Sequence, residues 1–148
     1  VKISTKGRYG LRAMLDLALN SAGDLVTLSS IADRQGVSAN YLEQVFAMLR
    51  KSGLVKSVKG AQGGYVLAER PSQITVGSIL RALEGELSVT DDHVSIQDLS
   101  PSVEYCLQKN VWEKINESIN LVVDSITLGD LMDEQKRLTD NQSMMYYI

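Results

Sequence analysis

The chain has little of what staples a fold, ligates a metal or performs chemistry. Its 148 residues include one cysteine, Cys106, one histidine, His93, and two prolines, Pro71 and Pro101. One thiol rules out an intrachain disulfide framework, and one thiol with one imidazole cannot complete a four-ligand zinc site within the chain. The expectation for metals and cofactors is none, and a reducing, cytoplasmic setting is expected. No apolar run approaches the roughly 18 residues of a membrane span, and the opening Val1-Lys2-Ile3-Ser4 has no signal-peptide core. Neither export nor membrane insertion is expected, and a start at Val1 fits removal of an initiator methionine. Catalysis lacks its parts as well: there is no nucleophile elbow and no acid pair in a glycine-lined pocket, so an enzyme is not expected.

What is present is apolar enough, at 44%, to bury a core unaided as one domain or a domain with an appendage. The net charge of −3 conceals a division at Pro71. Residues 1–70 carry ten Lys and Arg against five Asp and Glu, whereas residues 71–148 carry five against thirteen. A basic half joined to an acidic half suits a protein that meets a polyanion at one end and protein or water at the other. Chance segregation of surface charge is the competing account.

From Ser4, apolar residues at Leu11, Met14, Leu15, Ala18, Leu19 and Ala22 form one helical stripe that Gly23 stops. A second helix fits Leu28 to Gln35, with Thr27 as N-cap and Gly36 as left-handed C-cap. Ser38 then caps a third, which carries Leu42, Val45, Phe46 and Leu49 on one face and ends by Gly53. Helix, short glycine turn, helix is a helix-turn-helix. The period next changes to two at Leu54, Lys56 and Val58, followed by the turn Gly60 to Gly64 and a returning strand Tyr65-Val66-Leu67. A hairpin in that position is a wing, and Lys56 and Lys59 make it basic. As a phosphate cradle the glycines fit poorly, since no Gly-Lys-Ser/Thr follows.

Thr75 caps a fourth helix that ends at Gly85, with Ile74 placed to staple onto Ile79. Residues 86–100 lack periodicity and read as a surface loop. After Pro101 a helix resumes with Trp112, Ile115, Ile119, Val122 and Ile126 at intervals of three and four, a seam two heptads long. Core packing and a coiled coil both explain two heptads. Because residues 1–85 can close a core of their own, the seam is assigned to self-association. Thr127 and Asp130 restart a short helix, and an apolar tail, Met144-Met145-Tyr146-Tyr147-Ile148, ends the sequence. The fold class expected is mainly α with a small β-hairpin: a winged helix-turn-helix over 1–85, a loop over 86–100, a dimerisation helix and short following helix over 101–138, and a tail over 139–148.

Lys2 to Leu11, Tyr41-Leu42-Glu43-Gln44, Leu49 to Val55 and Gly60 to Tyr65 resemble the Rrf2 family of winged-helix regulators, as do Trp112 and Ser125 to Leu131. The resemblance implies a homodimer on double-stranded DNA, its third helix in the major groove and its wing at the neighbouring minor groove. The candidate interface is Lys6, Arg8, Ser38, Asn40, Tyr41, Glu43, Gln44, Arg50, Lys51, Lys59, Gly60 and Gln62. Its chemistry is suitable: Gln44 can pair with the Hoogsteen edge of adenine, Glu43 can accept from a cytosine amine, and Ser38, Asn40 and Tyr41 can reach phosphates or base edges. A solvated surface accounts for each of them equally well. Many members have Arg where this wing has Lys59, and the more strongly hydrated ammonium suits a narrow minor groove less well.

The family's cluster-binding members present three cysteines about six residues apart. Cys106 matches the third, but the other two positions fall near Val94 and Ser100, so about four thiolate or equivalent ligands cannot be assembled. Cys106 is left as a redox thiol or an inert one, and His93 beside Asp91 and Asp92 as a weak metal ligand or a solvated loop residue. The resemblance also reaches the family's cysteine-metabolism repressors, which lack the cluster ligands and end in Tyr-Ile. It implies a partner, cysteine synthase, docked through Tyr147 and Ile148; the alternative is that the tail packs on the dimer helix. Two further readings stay open, a cluster-free relative of the iron-sulfur regulators that answers another effector or thiol oxidation, and an interaction module without specific DNA binding.

Overall fold

The structure is a computed structural model that describes residues 2–22, 24–60, 63–90 and 101–145. Helix α1 spans Thr5–Ser21, α2 Leu28–Gln35 and α3 Ala39–Lys51. Ser4, Thr27 and Ser38 stand at their N-caps, and each accepts the backbone N–H three residues on. Each such cap contributes about 1 kcal/mol. Gly36 closes α2 at φ 67° and donates its N–H to the Ala32 carbonyl, which lets the chain turn into α3 after only two residues.

Strands β1, Val55–Val58, and β2, Gly64–Leu67, pair antiparallel with Val55 opposite Leu67 and Val58 opposite Gly64. Val26 adds a bridge on the outer side of β2, exchanging two backbone hydrogen bonds with Tyr65 at 2.9 and 2.8 Å. The wing is thereby tied to the connection between α1 and α2. Gly64 permits the approach, because a Cβ there would lie 2.8 Å from the Val26 carbonyl oxygen. A 3₁₀ turn, Pro71–Gln73, leads to α4, Val76–Glu84, which Thr75 caps as expected. Ile74 and Ile79 are both buried in the main core, in agreement with the staple.

That core is built on Phe46, Met14, Leu17, Ile31, Leu42 and Leu49, each contributing about 1.5–3 kcal/mol by leaving water. Two stripes differ from the expected ones. On α1 the buried line is Ala13, Met14, Leu17 and Ala18, with Leu11, Leu15 and Leu19 half-buried and Ala22 exposed as the left-handed C-cap; Gly23 lies outside the described residues. Gly7 and Gly10 let Glu84 and Leu83 come close to α1 and so rotate the buried face. On β1 the inward residue is Val55, not the alternating Leu54, Lys56 and Val58.

The C-terminal half departs further. Helix α5, Val103–Leu107, passes through a π-helical turn, Gln108–Trp112, into α6, Glu113–Ser125. Ile126 is extended, and α7 then runs from Leu128 to Met145. Thr127 and Asp130 form a reciprocal capping box with both bonds at 3.0 Å. The helix so started is 18 residues long, not short, and it takes in residues 139–145 that the sequence assigned to a tail. Nor do residues 1–85 close the core alone, since Leu128 is 0% exposed within it. Backbone pairing reinforces that union: Val76 N–H donates to the Ile126 carbonyl at 2.8 Å and Leu128 N–H to that of Ile74 at 2.9 Å.

The expected seam also divides. Ile119 and Ile126, with Val123, pack on Val76, Leu80 and Leu87 of the same chain. Ile115 and Val122 face solvent, beside Leu121 at 73% exposure. Leu87 is buried, so the start of the 86–100 segment is packed rather than a surface loop; residues 91–100 lie outside the described residues. No helix among the described residues is long and apolar enough to cross a membrane.

Candidate nucleic-acid interface

Burying Leu42, Val45, Phe46 and Leu49 turns the opposite side of α3 outward. Two stripes of exposed residues result. Glu43, Ala47 and Arg50 line a groove of about 910 Å³ whose other wall is the wing, at Ser57, Lys59 and Gly60. Its floor includes Thr27 and Ser29 at the start of α2. Asn40, Gln44 and Lys51 form the adjoining stripe of α3, all exposed. Of the expected interface residues, the groove therefore unites Glu43, Arg50, Lys59 and Gly60, while Gln62 lies outside the described residues. Thr27, Ser29, Ala47 and Ser57 were not anticipated as its lining, because nothing in their local sequence marks which turn faces a distant hairpin.

The remaining candidates sit differently. Ser38 spends one lone pair on the Tyr41 N–H at 3.1 Å, and its hydroxyl proton stays free to donate. Tyr41 is half-buried, its ring edge-on to Tyr9 at 6.2 Å between centroids, so much of it is packing surface rather than a free reader. Lys6 and Arg8 are exposed on the first turns of α1, and Lys6 borders a recess with Lys2 and Glu84. Glu84 accepts from both the N–H and the hydroxyl of Ser4. The first turn of α1 is thus occupied by a carboxylate of the same chain, which fixes the helix that carries Lys6 and Arg8.

What holds α2 and α3 in place is a residue that the sequence did not single out. Asp16 on α1 is only 3% exposed. It accepts from Arg34 Nε and NH2 and from Gln35 Nε2, the closest bonds being 2.7 and 2.8 Å. The hydrogen bond it donates to Asp16 holds the Arg34 guanidinium above its ordinary pKa, against a smaller opposing effect of burial. Arg12, stacked 4.8 Å over Tyr9, donates at 2.8 Å to the Gln35 carbonyl at the end of α2. The end of α2 from which the chain turns into α3 is accordingly anchored on α1. An aspartate inside an otherwise apolar helical stripe was the available signal.

Cys106 lies exposed on α5, with Asn110 Nδ2 3.8 Å from its Sγ. Among the described residues no group of three or more His, Cys, Asp or Glu could hold a metal ion.

A model of the Rrf2 family, described as an iron-dependent transcriptional regulator, matches residues 3–134. The transcriptional regulator CymR of Bacillus subtilis is 40% identical over 148 residues, covering all of both chains. IscR of Aliivibrio salmonicida is 38% identical over 97% of this chain and 86% of its own. The solved structure of CymR, described as the global cysteine regulator of B. subtilis, matches with a TM-score of 0.76 at 42% identity, covering 90% of this chain and 98% of that one. That of T. potens IscR matches with a TM-score of 0.71 at 50% identity, covering 91% and 88%. Iron in the family's description does not fit the donors present here: one exposed thiol and one imidazole fall short of the about four ligands a cluster requires. The winged-helix fold, the coverage and the identity agree, and the chain belongs to the Rrf2 family of DNA-binding transcription regulators, which are not enzymes.

Proposed function

We propose that the protein is a homodimeric, sequence-specific repressor of cysteine and sulfur metabolism genes that acts with cysteine synthase. The groove between α3 and the wing carries this reading, because it presents base-reading side chains and lysine or arginine on one open surface. Gln44 and Glu43 read base edges in the major groove, Asn40 and Ser38 fix the helix on the backbone, and Arg50, Lys51, Lys59, Lys6 and Arg8 supply phosphate contacts. The exposed residues Leu107, Ile115 and Val122 lie along one long helix, and a second copy of that helix is their cover. Identity to CymR supports the cysteine assignment. Helix α7 is exposed from Asp133 to Met145, and Tyr147 and Ile148, which lie outside the described residues, follow it in sequence, which supports docking of cysteine synthase at that end.

Footprinting on the DNA upstream of the protein's own gene, with and without cysteine synthase, tests this. The expected result is a protected palindrome whose affinity rises with the enzyme, and whose salt dependence has a slope of about −0.9 per phosphate neutralised. Deleting Tyr147 and Ile148 should remove the enzyme's effect and leave intrinsic binding. Absence of protection, or a shallow salt slope, refutes the DNA reading and favours an interaction module. The 50% identity to T. potens IscR supports a second reading, a cluster-free regulator that answers oxidation of Cys106. Binding that is indifferent to cysteine synthase and abolished by peroxide in the native chain, but not in Cys106→Ser, would select it.

A further inference from the structure

Beside the backbone pairing of Val76 with Ile126 and of Leu128 with Ile74, two kinds of side-chain contact join the winged helix to the long helix. One is the apolar cluster of Val76, Leu80 and Leu87 against Ile119, Val123 and Ile126, which has no preferred direction. The other is polar and has one geometry. Arg81 on α4 donates NH1 to Asp124 Oδ1 at 2.7 Å and NH2 to Asp124 Oδ2 at 2.8 Å. Its NH2 also meets Asn120 Oδ1 at 2.5 Å. A planar guanidinium held by two acceptors of one carboxylate and a third one turn away permits little rotation. Gly77, one turn before Arg81, makes room: a Cβ there would sit 2.1 Å from Asp124 Oδ1 and 2.8 Å from Arg81 NH1.

The same face of α6 reaches further. Asn120 donates to the Asn116 carbonyl at 2.7 Å, and the Asn116 side chain accepts the Val89 N–H at 2.8 Å. Helix α4 in turn is packed into α1, where Leu83 Cδ1 fills the space beside Gly10, and its Glu84 holds Ser4. Arg81 therefore stands at the junction between a rigid DNA-binding unit and the helix that carries the exposed apolar stripe.

We propose that Arg81, gripped by Asp124 and Asn120 in the space left by Gly77, is a positioning clamp that fixes the rotation of the long helix against the recognition helix and so sets the half-site spacing the protein reads. This rests on the dimeric reading above. Lever arithmetic makes the clamp consequential. With an arm of about 13 Å, the radius of gyration of a domain near this size, a rotation of about 10° moves each α3 by about 2.3 Å. The two copies move in opposite senses, giving about 4.5 Å in all, more than the ~3.4 Å rise of one base pair.

The test uses full-length protein and duplexes bearing two copies, or one copy, of the half-site recovered by selection from a randomised library, with spacing varied one base pair at a time. Wild type should prefer one spacing. Asp124→Ala, at an exposed position, and Gly77→Ala, whose methyl displaces the Asp124 carboxylate and the Arg81 guanidinium from their contact, should remain folded dimers and keep half-site affinity within about twofold. Their preference for the wild-type spacing should fall at least about fivefold, the size of a weak single mismatch. Unchanged discrimination in folded, dimeric Asp124→Ala overturns the clamp, and so does an equal loss on one and two half-sites, which would place the effect in α3 packing. A wild-type protein without spacing preference overturns the dimeric reading itself, and the clamp with it.

Discussion

Asp16 and Arg34 offer an asymmetric pair of substitutions whose order follows from which partner is left in the dry. The side chain of Asp16 is 2% exposed and that of Arg34 40%. Removing one member of a fully buried pair costs about 3–5 kcal/mol, because the survivor keeps its desolvation penalty and loses its compensation. Arg34→Ala leaves the buried carboxylate, with only Gln35 and Asn20 to donate to it, and belongs within that range. Asp16→Ala leaves an arginine that can turn to water from where it stands, and Asn20 keeps its 2.8 Å bond to the Asp16 carbonyl. Its cost reduces to lost charge-assisted hydrogen bonds and a small cavity, about 2–3 kcal/mol. At about 2–4 °C per kcal/mol for a chain of this size, Asp16→Ala should melt about 4–12 °C below wild type and Arg34→Ala lower still. Circular dichroism supplies the free energies through equilibrium urea unfolding and the melting temperatures through thermal scans. Should Arg34→Ala prove the milder of the two, the buried-carboxylate argument fails.

The interface makes a second contrast: Gln44→Ala should lose about 1–3 kcal/mol on the selected site and little on random duplex, whereas Lys59→Ala should weaken both alike and lower the salt slope by about one phosphate. Anisotropy titrations at several salt concentrations separate them, and equal losses for Gln44→Ala would remove it from the reading set. Val122→Asp, at a position 56% exposed, should give folded monomers by light scattering. Ile119→Asp, by contrast, should lower the melting temperature as well, since Ile119 packs within its own chain. A third expectation concerns pH. The hydrogen bond from Arg81 holds the Asp124 carboxyl below its ordinary range, so the stability it contributes is present above the unfolded value of about 3.9 and is lost as pH falls through the depressed folded value. Melting curves of Asp124→Asn and wild type should converge in strong acid and separate above about pH 5; separation that is constant with pH would refute the assignment.

The N-terminal half was legible because its signals are local. A serine or threonine before each helix and a glycine after α2 place the ends of α2, α3 and α4 where capping chemistry puts them. The apolar period of α3 fixes which of its faces is buried and so which is exposed. What sequence could not deliver was rotation. Helix α1 has enough apolar residues for two overlapping stripes, and the small residues that decide between them, Gly7 and Gly10, do so through how closely Glu84 and Leu83 approach. Asp16 was passed over for the same reason, since its partners are 18 and 19 residues away.

The seam shows why a correct period can still give a wrong surface. Trp112, Ile115, Ile119, Val122 and Ile126 do repeat at intervals of three and four, but the chain's own packing takes up only part of such a set and leaves the rest exposed. Ile119 and Ile126 turn to α4, while Ile115 and Val122 turn to solvent. The π-helical turn at Gln108–Trp112 adds to the divergence, since its wider turn shifts the residues before it relative to those after. Leu107 consequently shares the exposed side with Ile115 and Val122 although no heptad connects them. Leu107→Asp, at a position 43% exposed, tests this without disturbing the turn. If Leu107 belongs to the same apolar surface as Val122 in the proposed dimer, the carboxylate should weaken dimerisation without affecting the melting of the winged helix, as sedimentation and calorimetry would report. A Leu107→Asp variant that dimerises as wild type would confine the interface to α6.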